Sequence, residues 1–145
     1  MTDAALPVQV RIARLLPASP DRVFRAWTDP TRVARWMSPY GHATAELEPW
    51  VGGRLRVVMV GEGSEIEHTG EYLEVEPGSR LVFTWRSPYT GDRPSRVTVE
   101  LRPAGDETEL TLIHELLPPD AVAPHAGGWA SMLDRLAAEL NAEGG

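Results

Sequence analysis

The chain has 145 residues, no cysteine and a formal net charge of −7. The missing cysteine excludes disulfides, thiol catalysis, iron–sulfur clusters and cysteine-based zinc sites. The acidic balance argues against a nucleic-acid partner, which clustered Lys and Arg would hold. All 14 basic residues are Arg, so Schiff-base and lysine general-base chemistry have no side chain to use. The length predicts one domain over 1–145, with its core from about residue 8 to 140. Asp3 stands early in the chain and no long apolar run follows, so neither a signal peptide nor a spanning helix is expected. The expected compartment is cytoplasmic, away from membranes.

In chain order, Val8, Val10 and Ile12 alternate with polar residues and predict a first strand. Ser19-Pro20-Asp21 is a helix start: a capping side chain, a proline suited to the first turn and an acid at the positive end of the dipole. Val23, Phe24 and Trp27 form its apolar face. Asp29-Pro30 repeats the signal for a second short helix with Val33, Trp36 and Met37 inward, ended by Pro39.

From Ala43 to Glu115 strands and turns dominate. Gly52-Gly53 reads as a hairpin turn before the alternation of Leu55, Val57 and Met59. Gly61-Glu62-Gly63 is the next turn. Ile66, His68, Gly70 and Tyr72 then share one face, and Leu73 and Val75 continue in shifted phase, which predicts a β-bulge near Tyr72. After Pro77-Gly78 come the alternations Leu81, Phe83, Trp85 and, past a polar loop over 87–94, Val97, Val99, Leu101. Ala104-Gly105-Asp106 turns the chain into Leu110, Leu112 and His114. Pro118, Pro119 and Pro124 delay the last helix, which is expected after Pro124. There Trp129, Met132, Leu133, Leu136 and Leu140 form an i, i+3, i+4, i+7, i+11 stripe. The pair Gly127-Gly128 at its start implies close approach to a sheet or a frayed first turn, since glycine is costly in helices.

Consecutive hairpins favour an antiparallel sheet. The final helix is the only element long enough to cover one face, with the two short helices closing an end. This is an α+β class, and a curved sheet around one helix leaves a cavity between them.

The segment ASPDRVFRAWTDPTRVARWMSP resembles the opening signature of the activator-of-Hsp90-ATPase-like (AHSA1-type) family, within the SRPBCC or START/Bet v 1-like superfamily. The resemblance continues through EPWVGGRLRV, PGSRLVFTW, VTVEL, TELTLIHE and HAGGWASMLDRLAAEL. It implies a helix-grip (Bet v 1-like) fold, a curved antiparallel sheet around a long C-terminal helix with two short helices after the first strand. It also implies that relatives bind lipids, sterols, polyketides and other apolar molecules, and that some are cyclases or hydrolases. Eukaryotic Hsp90 activators carry an additional N-terminal domain. Here the first strand is expected by about Val8, so chaperone activation is not expected.

Strand parity and the helix stripe point twelve residues toward the cavity as candidate ligand-binding positions: Met59, His68, Tyr72, Phe83, Trp85, Val99, Leu112, His114, Trp129, Met132, Leu133 and Leu136. His68 and His114 are either core histidines bonded to a neighbour or polar fixtures in a pocket. Parity favours Trp85 and Trp129 over Trp36 as pocket walls. His42, His68, His114 and His125 show no metal-ligand spacing, so no metal and no cofactor are expected. The glutamates 62, 65, 67, 71, 74 and 76 read as a solubilising face. The expected function is binding of a small apolar or amphipathic ligand, of dye or fatty-acid size, without catalysis. The alternatives are a cyclase- or hydrolase-type enzyme using His68, Tyr72 or His114, and a chaperone-interaction module. A homodimer stays open.

Overall fold

The computed structural model describes residues 9–39, 42–61 and 63–144. Val8 and Glu62, named above for the first strand and a turn, lie outside the described residues. Strand β1 (Val10–Leu16) buries Val10 and Leu16 at its two ends. Helix α1 (Pro20–Thr28) starts where Ser19 accepts from the Arg22 N–H at 3.3 Å, with Pro20 in the first turn. Asp29 then does two jobs. Its backbone N–H closes α1 on the Arg25 carbonyl, and its carboxylate caps α2 (Pro30–Trp36) at the Thr31 N–H, 2.9 Å away. Helices this short are not stable alone; Val23, Trp27, Val33 and Trp36 bury them in the shared core.

Six further strands follow: β2 (His42–Leu47), β3 (Arg54–Gly61), β4 (Ser64–Glu76), β5 (Arg80–Trp85), β6 (Ser95–Ala104) and β7 (Glu107–Glu115). All pair antiparallel in one sheet ordered β1-β7-β6-β5-β4-β3-β2. A long helix α3 (Val122–Gly144) packs on its inner face, burying Trp129, Met132, Leu133, Leu136 and Leu140. This is the helix-grip arrangement. No helix among the described residues is long and apolar enough to cross a membrane.

Four details differ from the sequence-based expectations. The β2–β3 connection spans residues 48–53 and is not a two-residue turn; Gly52 adopts φ +86° and Gly53 lies where a Cβ would stand 2.0 Å from the Glu48 carbonyl oxygen. The register of β4 on β5 does shift between Tyr72 and Glu74, but Leu73 itself is the expelled residue, 38% exposed. Only Val75 returns to the core. Helix α3 begins two residues before Pro124, because a proline in the first turn has no intrahelical N–H bond to lose. Finally, a Cβ built on Gly127 or Gly128 meets nothing within 4 Å. The glycine pair is therefore not there for close packing against the sheet.

Gly70 has the close approach that the helix glycines lack. It sits in β4, where a Cβ would stand 1.8 Å from the Thr84 carbonyl oxygen. The long strand is paired with β3 up to Glu71 and with β5 from Tyr72 onward, and Thr69, while still paired with β3, also bridges to Arg86. Glycine lets the two backbones come together where the sheet changes partner.

Candidate functional site

A cavity of about 170 Å³ opens between the first turns of α3 and the inner face of the sheet. The strands supply Met59, His68 and Trp85. The helix supplies Pro124, His125, Gly128, Trp129 and Met132. Pro39 after α2 and Tyr89, on a single 3₁₀ turn (Pro88–Thr90), complete the wall. That turn is held by a capping box between Ser87 and Thr90. Tyr89 is 59% exposed, so it stands at the solvent side.

Of the twelve residues expected along the cavity, five line it: Met59, His68, Trp85, Trp129 and Met132. Tyr72 and Phe83, with Trp85, border a separate void of about 10 Å³, no larger than one water. Val99, Leu112, Leu133 and Leu136 are fully buried in the core and do not line the cavity. Trp36 also stays out of the cavity and donates its indole N–H to the Ala26 carbonyl at 3.0 Å. Residues 39, 89, 124, 125 and 128 complete the wall from loops and a helix start, where period-2 and period-3.6 patterns carry no orientation. The one sequence signal for this end is the Gly127-Gly128 pair, costly in a helix.

His114 does not line the cavity. It is fully buried and sits in a closed relay. The Trp129 indole N–H donates to its Nδ1 at 3.0 Å, and its Nε2 lies 2.7 Å from the Ser95 hydroxyl, which donates to the Trp85 carbonyl. An indole nitrogen can only donate, and a carbonyl can only accept. Nδ1 must therefore be unprotonated, Nε2 carries the hydrogen, and Ser95 receives it. Burial, reinforced by His125 and His68 nearby, pushes the His114 pKa down to about 3.

His68 lies flat on Trp85, with ring centroids 4.6 Å apart and 26° between planes. Its Nδ1 is 3.3 Å from the Val57 carbonyl, so Nδ1 carries the proton. Burial pushes its pKa down to about 4, against which the backbone bonds work only partly. His125 repeats the pattern at the helix start, with Nδ1 2.8 Å from the Ala121 carbonyl. It packs edge-on against His114 at 5.0 Å. Burial also raises the Tyr72 hydroxyl far above its ordinary pKa, so it is no ready base.

No Asp, Glu or Arg lines the cavity among the described residues. Glu65, Glu67, Glu71, Glu74 and Glu76 are exposed, and Glu67 pairs with Arg56 and Glu74 with Arg80. Among the described residues no three His, Asp or Glu side chains converge as a metal site requires.

The model of the family described as Activator of Hsp90 ATPase homolog 1-like protein matches residues 17–141. A crystal structure of a protein from Chromobacterium violaceum is 33% identical, with 92% of this chain and 98% of that chain covered and a TM-score of 0.80. DynU16, a protein in the dynemicin biosynthetic locus, is 29% identical with a TM-score of 0.76; the match covers 93% of this chain and 48% of that one. An Hsp90 activator from Plasmodium falciparum is 25% identical over 77% of this chain and 75% of its own, with a TM-score of 0.64. No curated protein matches the chain.

Proposed function

The chain belongs to the Activator of Hsp90 ATPase homolog 1-like family, and on that premise we propose that it binds a small, largely apolar molecule beneath the start of α3 without transforming it. The observation that carries this reading is the cavity of about 170 Å³ walled by Met59, His68, Trp85, Trp129 and Met132. Apolar concave sites with a few polar groups are the usual form of ligand pockets. The volume suits a molecule of one or two rings. An engineered cavity of about 150 Å³ takes up benzene, whereas a fatty-acid chain needs more room than this. DynU16 belongs to a biosynthetic locus, in keeping with a small-molecule role.

The buried histidine speaks against the enzyme alternative. In the relay His114 donates to Ser95, so it is not placed to take the Ser95 proton. A hydrolase-type pair needs the opposite polarity. Neither residue reaches the cavity.

The test is a thermal-shift series with benzene, toluene, naphthalene and decanoate. A ligand that binds only the native state raises its stability. The reading expects the ring compounds to raise Tm and decanoate to leave it unchanged. A series with no shift at all overturns it.

A second reading is a chaperone-interaction module, favoured by the Hsp90 activator among the structural neighbours. It expects stimulation of an Hsp90 ATPase that is indifferent to occupancy of the cavity.

A further inference from the structure

We propose that the cavity selects a neutral aromatic ring bearing a hydroxyl, a phenol, and that Nε2 of His68 accepts the hydroxyl proton in a hydrogen bond. The inference rests on the ligand-binding reading above and names its ligand class.

The Val57 and Ala121 carbonyls can only accept, so Nδ1 of His68 and Nδ1 of His125 each carry a hydrogen. In the neutral ring of His68, whose backbone neighbours are the Val57 and Ile66 carbonyls, Nε2 keeps its lone pair for a ligand. His68 thus brings an acceptor, not a donor, to the cavity wall. Burial keeps the His68 ring neutral, and the Val57 carbonyl selects its tautomer. A group that only accepts, such as an ether or a ketone, gains nothing from this nitrogen. A hydroxyl does.

Charge narrows the class further. A carboxylate has no Arg along the described wall to meet it, and an ammonium has no Asp or Glu. Either would enter without a partner, which costs heavily in an apolar site. The ring preference comes from the walls. Trp85 and Trp129 lie 5.8 Å apart at 44°, and His68 is stacked on Trp85. Met59 and Met132 add polarizable sulfur, which packs well at aromatic edges. Open space above Gly128 leaves room for the ring at the helix.

The experiment compares phenol, anisole and benzoate by the change in tryptophan emission and in Tm on the full chain. Anisole has the same ring and oxygen but no proton to donate. Phenol is expected to bind at least about tenfold tighter than anisole, equivalent to about 1.4 kcal/mol, and benzoate not at all at neutral pH. In His68→Phe, which keeps a ring against Trp85 but removes the acceptor, the phenol-to-anisole ratio should fall to near one while anisole still binds. Anisole equal to phenol in the wild type overturns the inference and leaves the aromatic cavity standing. Failure of all three to bind overturns the underlying reading instead. A phenol preference that survives His68→Phe overturns the assignment to His68. If that variant does not fold, the wild-type ratio decides between the first two results.

Discussion

The indole N–H of Trp129 meets Nδ1 of His114 across 3.0 Å, joining α3 to β7 at the back wall of the cavity. One bond fixes several things. It sets the histidine tautomer, it satisfies an indole that would otherwise be buried unpaired, and it holds Trp129 in the orientation that walls the site. Beyond His114 the chain of donors runs through Ser95 to the Trp85 carbonyl, so both cavity tryptophans share one polar network.

Replacing Trp129 by Phe keeps a ring but removes the donor. His114 Nδ1 is then buried without a partner, at a cost of about 1–3 kcal/mol, with a further loss from the smaller side chain. Urea unfolding of Trp129→Phe measures it. A change below about 0.5 kcal/mol would mean that the bond does not hold the helix.

Stability should fall with acid before the carboxylates titrate. His68 and His114 are held neutral in the fold, at about 4 and about 3, whereas in the unfolded chain they titrate near 6.5. Above that pH both states are neutral and the full stability is present. Below it the unfolded state takes up protons that the folded state refuses, so stability is lost progressively as pH falls toward the folded values. Each histidine contributes a slope of up to about 1.4 kcal/mol per pH unit. Unfolding free energies at pH 7.5 and 5.5 should therefore differ by roughly 2–3 kcal/mol. A flat profile over that range would place both rings in water.

The two helix glycines should be replaceable. A Cβ at Gly127 or Gly128 meets nothing within 4 Å, so Gly127→Ala should stabilise by about 0.4–1 kcal/mol. Gly128→Ala should gain similarly while narrowing the cavity, raising Tm and weakening any ring-sized ligand. A lower Tm for Gly127→Ala would contradict the helical placement of this turn.

Gly70 predicts the reverse. Its Cβ would collide with the Thr84 backbone at 1.8 Å, and backbone cannot rotate away as a side chain can. Gly70→Ala should cost on the order of 3 kcal/mol or more, read as a lower denaturation midpoint. A neutral substitution would mean that β4 and β5 do not approach there.

Much of the fold is legible in the residues themselves. The caps at Ser19 and Asp29, the alternation in each strand and the stripe from Trp129 to Leu140 reappear as buried faces, because burial on one face leaves a periodic trace. The bulge too was visible as a phase shift, although alternation alone assigned Leu73 to the wrong side of it. The cavity was far less legible. Parity says that Val99 and Leu112 face the helix and the stripe says that Leu136 faces the sheet, but neither says where between them a gap remains. The gap opens at the first turns of α3, where Gly128 offers no side chain, while Leu133 and Leu136 further along are fully buried. Pro39, Tyr89 and His125 reach the cavity from loops and a helix start, where no period operates. His114 shows the same limit: its inward direction follows from alternation, while its closure by Trp129 and Ser95 depends on two distant segments.

The central claim, a usable cavity beneath the start of α3, is tested most directly by the indole N–H signals of the five tryptophans in a nitrogen-15 NMR titration with phenol. Trp85 and Trp129 line the cavity and Trp50 lies exposed in the β2–β3 connection. Saturable shifts at Trp85, Trp129 and the Gly128 amide, with Trp50 unmoved, are the predicted result. No shift at Trp85 or Trp129 up to the solubility of phenol, or a shift confined to Trp50, would contradict it.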